Sequence, residues 1–180
     1  MQIKNGWLCS ASEVPSPNID SRPDVADISL LVIHNISLPP NQFGGDYIKQ
    51  FFSNCLDPHE DEYFAQICDL KVSAHLLIDR LGNLTQFAPF TARAWHAGVS
   101  QFDRRENCND FSIGIEMEGA DNIAYTDLQY EMLAAVTRVL CAQYPLITAD
   151  RIVGHNHIAP GRKTDPGEAF DWNRYQQMLN

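Results

Sequence analysis

Ser112-Ile113-Gly114-Ile115-Glu116-Met117-Glu118 alternates without a break: Ile113, Ile115 and Met117 point one way, Ser112, Gly114, Glu116 and Glu118 the other. That period of two is the signature of a β-strand. Downstream, Thr126-Asp127-Leu128-Gln129 reads as a capping box opening a helix. Its apolar stripe is expected at Leu128, Met132, Ala135, Val136, Val139 and Leu140, and Pro145 stops it. Arg151 to His155 reads as a further short strand. Upstream, Ser29 to His34 carries the apolar run Leu30-Leu31-Val32-Ile33 and reads as a buried strand. Pro39-Pro40-Asn41 then breaks the chain before a helix near 45–54, where Tyr47, Ile48, Phe51 and Phe52 recur at helical spacing. Ala74 to Asp79 and Leu84 to Phe87 pair as a hairpin across the turn Arg80-Leu81-Gly82-Asn83. Trp172, Tyr175 and Leu179 predict a short C-terminal helix. Strands interleaved with helices specify an α/β fold, a single domain over residues 1–180 with a central mixed β-sheet flanked by helices. Residues 1–28, rich in turn formers from residue 10 on, read as a lead-in that wraps the surface.

The length of 180 residues suits one domain with a proper core. A net charge of -10 repels phosphate backbones and argues against nucleic acid as a partner. An anionic ligand would need a local basic patch, for which Lys71, Arg93, Arg104, Arg105, Arg162 and Lys163 are the available cations. No apolar stretch approaches the ~20 residues of a membrane span, so no membrane partner is expected. The segment Met1 to Cys9 lacks the apolar core of a secretory signal. Cys9, Cys55, Cys68, Cys108 and Cys141 are an odd, scattered set, which fits a reducing cytoplasm better than a disulfide framework. A monomer is expected.

His34 ends one apolar run and His155 follows another, Ile152-Val153, in the segment Gly154-His155-Asn156-His157-Ile158-Ala159-Pro160-Gly161-Arg162-Lys163-Thr164-Asp165-Pro166-Gly167. Either histidine alone reads as a hydrogen-bonded core residue. Together with Asp165 they make three N/O ligands that leave a fourth position to water, the composition of a catalytic zinc site. Pro166 biases Asp165 toward an extended backbone. His157 is a rival ligand if the strand continues past His155, and His75 and His96 are read as polar groups at the rim. Lys163 shares a side with Asp165 in an extended segment and suits a developing oxyanion. Glu116 is the strongest candidate base, because Ser112 and Gly114 on its face are small and leave room for a ligand. Trp95 reads as either a core residue or a platform for a sugar ring.

These residues lie within blocks that resemble the zinc-dependent N-acetylmuramoyl-L-alanine amidases, in particular their cytosolic branch acting on 1,6-anhydro-muropeptides. The blocks are Val14-Pro15-Ser16-Pro17-Asn18, Leu31 to Pro40, Val72-Ser73-Ala74-His75, Arg93 to Ser100, Cys108 to Glu116 and the 154–167 segment. The resemblance covers nearly the whole chain. It implies one zinc ion held by His34, His155 and Asp165, Glu116 as general base and Lys163 as transition-state stabiliser. It also implies a muropeptide as partner, cleaved between the muramyl lactyl group and L-alanine in peptidoglycan recycling, with Asn35, Lys71, Trp95 and Arg105 as substrate contacts. Lys71 and Asn107 stand where arginines are more frequent in the family. Two other readings remain open: a module that binds muropeptides without cutting them, and an HNH-like nuclease fragment, which the acidic balance disfavours.

Overall fold

The alternating stretch Ser112–Glu118 is an interior strand of a six-stranded mixed sheet, and all of its residues are buried. The computed structural model describes residues 1–179; Asn180, the last residue of the expected domain, lies outside them. Across the sheet the strands run Ile152–Gly154, Leu30–Ile36, Ser112–Glu118, Leu76–Ile78, Leu84–Gln86 and Ser12–Glu13. The first four are parallel to one another, Leu76–Ile78 and Leu84–Gln86 form the expected antiparallel hairpin, and Ser12–Glu13 pairs parallel at the edge. Parallel strands buried on both faces read as apolar runs, which is why Leu30-Leu31-Val32-Ile33 is unbroken.

Register places the functional positions. Glu116 lies opposite His34, and Gly154 opposite Ile33, so His155 follows directly beyond the next strand over. Three carboxyl-terminal strand ends thus bring His34, Glu116 and His155 to one edge, the place where open α/β sheets hold ligands.

On one face, Leu31, Ile33, Ile113, Ile115 and Met117 pack with Leu133, Val136 and Leu140 of helix Asp127–Gln143 and with Tyr175 of helix Trp172–Leu179. On the other, Leu30 and Val32 meet Ala97, Phe102, Phe111 and Ile158. A third cluster joins Phe51 and Phe52 of helix Tyr47–Phe52 to Phe64 and Ile67 of the short helix Phe64–Ile67. The capping box forms as expected, with Thr126 accepting from the Gln129 N–H and Gln129 reaching back to Thr126.

Three expectations need correcting. The buried face of the long helix is Gln129, Tyr130, Leu133, Ala134, Val136, Thr137 and Leu140, while Leu128 is half exposed. Gln129 and Thr137 can turn inward because each finds a partner there: Ile78 and Glu118 carbonyls for one, the Tyr175 hydroxyl at 2.6 Å for the other. The strand before His155 ends at Gly154, and His155 starts a one-turn helix, His155–Ile158. The lead-in does more than wrap the surface. It adds the edge strand and pairs Ile19–Ser21 with Ala92–Ala94. Arg22, buried, donates to the carbonyls of Phe90, Asn109, Asp110 and Ser112. Among the described residues no helix is long and apolar enough to cross a membrane.

Candidate active site

At the carboxyl edge of the sheet three ligand-type atoms converge. His34 Nδ1 lies 2.9 Å from His155 Nδ1 and 3.1 Å from Asp165 Oδ2, and the last two atoms are 3.0 Å apart. His34 and His155 are buried and Asp165 is nearly so. Asp165 arrives from the loop after the one-turn helix, where its carbonyl accepts from the Asn156 N–H at 2.9 Å. The turn that follows needs Gly167, whose φ is +84° and whose missing Cβ would lie 2.1 Å from the Asp121 backbone.

The outer nitrogens of both rings are committed elsewhere. His155 Nε2 lies 3.0 Å from the Ala97 carbonyl, to which it can only donate, and this turns its Nδ1 toward His34 and Asp165. His34 Nε2 faces His96 Nδ1 at 2.9 Å. Burial, reinforced by the neighbouring His155 and Lys163 and opposed by Asp165, pushes the His34 pKa down to about 4, so its ring is neutral at pH 7. Burial alone would raise the Asp165 pKa, but the two imidazoles beside it outweigh that and hold the carboxyl well below the usual range. Two imidazoles and a carboxylate turned toward one point form a donor set that a cation satisfies; His34, His155 and Asp165 could hold a metal ion.

Glu116 sits in the same row. It is 8% exposed, and its Oε2 has no hydrogen-bond partner among the described residues. Burial, with repulsion from Asp165, raises its pKa well above 4.5, and Lys163 opposes the rise. Glu118, on the same strand face, is structural by contrast: it accepts from the backbone N–H groups of Gly44 at 2.5 Å and Arg80 at 3.0 Å.

These groups open into a cavity of about 750 Å³. It is lined by His34, Glu116, His155, Lys163 and Asp165 together with Leu38, Phe51, Tyr63, Ile67, Leu70 and Val72. Trp95 lines it as well, with a buried Nε1 that has no partner among the described residues. Asn35 also borders the cavity, but its amide is spent on Asp121 Oδ1 at 2.8 Å and the Pro166 carbonyl at 3.0 Å, so it braces the Asp165 loop. Of the six candidate cations only Arg162 and Lys163 reach the lining. Lys71 is exposed outside it, Arg105 pairs with Asp27 at 2.5 Å and lies over Phe111, and Arg93 is held by Asp20 and Asp110. His157 turns outward beside Phe102, because two residues along a helix reach the face opposite that of His155.

His75 is an interior group and not a rim group, whereas His96 is partly buried and lines the cavity as expected. His75 is fully buried, accepting from the Gly114 N–H at 3.0 Å and facing the Ala92 carbonyl at 3.1 Å. The room that Ser112 and Gly114 leave on their strand face is filled by the His96 ring, which would lie 2.5 Å from any Cβ on Gly114. Two small residues alternating before an acid were the available signal that something large packs there.

The chain matches the family model described as N-acetylmuramoyl-L-alanine amidase over residues 24–168. It is 59% identical over 174 residues to the 1,6-anhydro-N-acetylmuramyl-L-alanine amidase AmpD of Salmonella typhimurium (strain SL1344), covering 97% of this chain and 92% of the relative. Among solved structures, a crystal structure of a selenomethionine AmpD derivative superposes with a TM-score of 0.97 at 56% identity, over 100% of both chains. The N-acetylmuramyl-L-alanine amidase AmiD from E. coli, in complex with the substrate anhydro-N-acetylmuramic acid-L-Ala-D-gamma-Glu-L-Lys, superposes with a TM-score of 0.62 at 27% identity, over 88% of this chain and 58% of that one.

Proposed function

Since this chain belongs to the N-acetylmuramoyl-L-alanine amidase family, we propose that it hydrolyses the amide joining 1,6-anhydro-N-acetylmuramic acid to L-alanine in muropeptides. It does so with zinc held by His34, His155 and Asp165. The observation that carries this reading is the shared cavity: an acid with an unpaired oxygen and a lysine lie beside three converging ligand atoms. A binding module has no use for the free carboxyl oxygen, which costs free energy to bury.

When bound, zinc supplies Lewis acidity and a water acidified to a pKa of roughly 7. Glu116, its own pKa raised well above the ordinary carboxylate value by burial and by repulsion from Asp165, takes the proton of the attacking water. Lys163 presents its ammonium to the lactyl carbonyl oxygen as negative charge develops there; losing such a donor costs about 10²–10³ in rate. Glu116 then passes its proton to the alanine nitrogen as the C–N bond breaks, so the amine leaves neutral. Trp95 lines the same cavity, where its indole can pack against the sugar. Arg162 and Lys163 supply the positive charge that a stem peptide's carboxylates need against the chain's net charge of -10.

The identity with AmpD across nearly the full length supports the anhydro-muropeptide as substrate and recycling of peptidoglycan as the role. Five free cysteines support a reducing cytoplasm as the setting. Mass spectrometry of products from anhydro- and non-anhydro-muropeptides tests the proposal. Free peptide should be released from the anhydro substrate, stopped by EDTA and restored by zinc. Binding without turnover, or turnover that survives chelation, would sink it.

A further inference from the structure

Behind His34 the hydrogen bonds form a chain with one sense. Ser112 Oγ lies 2.6 Å from the Cys108 carbonyl, which can only accept, so the hydroxyl proton is committed there. Its lone pairs then face His96 Nε2 at 3.0 Å, which places a proton on that nitrogen. In the neutral ring His96 Nδ1 is left as an acceptor, and His34 Nε2, 2.9 Å away, must donate to it. His34 therefore keeps its proton on Nε2 and a bare lone pair on Nδ1, the atom that faces His155 and Asp165. His155 is oriented by a shorter route, its Nε2 donating directly to the Ala97 carbonyl.

The His96 ring is seated as firmly as its hydrogen bonds are ordered. It rests on Gly114, where any Cβ would lie 2.5 Å from its Cγ and Nδ1. Its backbone N–H and that of Ala97 both donate to Asn109 Oδ1, at 3.1 and 2.8 Å. Asn109 thereby anchors both supports at once, since Ala97 carries the carbonyl that holds His155.

We propose that His96, seated on Gly114 and oriented by Ser112, is a positioning residue that fixes the Nδ1-bare tautomer of His34 and thereby sets the affinity of the three-ligand site for zinc. The inference rests on the metal-site reading above. Removing an outer partner of a metal-ligating histidine weakens metal binding by about 10–100-fold.

The test is zinc affinity by competition with a chromophoric chelator, on the wild-type protein and three variants. Wild type should bind one equivalent. His96→Phe should bind about 10–100-fold more weakly, and Ser112→Ala should shift in the same direction by less. His96→Asn, whose Oδ1 can stand where Nδ1 stood, should recover most of the loss. Thermal melting of the metal-free proteins checks that the folds are intact. In parallel, long-range ¹⁵N–¹H NMR of the metal-free wild type, which needs no variant, should show the protons of His34 and His96 both on Nε2. A wild type that binds no zinc would remove the metal-site reading. A wild type that binds, with His96→Phe matching it, or an Nδ1–H tautomer at His34, would overturn the positioning role alone.

Discussion

Burying Glu116 with one oxygen unpartnered works against the fold, because desolvation disfavours the carboxylate, Asp165 adds repulsion and Lys163 offsets only part of it. A carboxyl whose folded pKa exceeds its ordinary 4.5 binds its proton more tightly in the native state. Stability is therefore greatest below that value and declines as pH rises through the folded pKa. Glu116→Gln keeps the shape and removes the titration. In the metal-free protein the variant should be more stable than wild type at pH 8 in urea unfolding, with the advantage fading toward pH 4.5. Turnover of the zinc form should fall about 10²–10⁴-fold. A variant less stable than wild type at pH 8 would contradict the account. The convergence of His34, His155 and Asp165 was legible in the sequence because their types announce chemistry and both histidines follow apolar runs. His96 was not: its role depends on Gly114 leaving space one strand away, a relation that no spacing along the chain encodes.

The long helix shows how far local pattern reaches. Its start was readable, since the Thr126–Gln129 box is made within one turn. Its buried face was not, because Gln129 and Thr137 turn inward against hydrogen-bond partners on other elements and shift the stripe away from Leu128. Leu133→Ala, at a fully buried position, should cost about 2–5 kcal/mol of unfolding free energy. Leu128→Ala, half exposed, should change it by roughly 0.5 kcal/mol or less. Denaturant titrations of the two variants decide between the stripes, and a larger loss at Leu128 would restore the one read from sequence. The two-residue edge strand Ser12–Glu13 escaped the sequence for a simpler reason: two residues carry no period.

Across the whole molecule, buried imidazoles govern acid behaviour. Burial, with Arg22 nearby, pushes the His75 pKa down to about 3 from an ordinary 6.5. Between those values the unfolded chain binds a proton that the native state refuses. Stability thus falls as pH drops across that window, by about 1.4 kcal/mol per pH unit for one such group. His75→Asn can keep the Gly114 N–H bond through its Oδ1 without titrating. In metal-free protein its loss of stability from pH 7 to pH 5, followed by urea midpoints, should be shallower than that of wild type; parallel slopes would refute the assignment. The α/β class and the parallel strands were legible because each strand is an apolar run closed by a turn signal. The short connections that wall the cavity were less so, since their shape is set by what they pack against. That division has a consequence for how such a molecule can change. His34, Glu116 and His155 are fixed by the pairing of three strands, whereas Leu38, Phe51, Tyr63, Ile67 and Val72 come from one continuous excursion outside the sheet. Insertions and replacements within that excursion can reshape the cavity while the convergence of His34, Glu116 and His155 stays untouched, so the contour of the pocket and the geometry at the sheet edge are free to evolve separately.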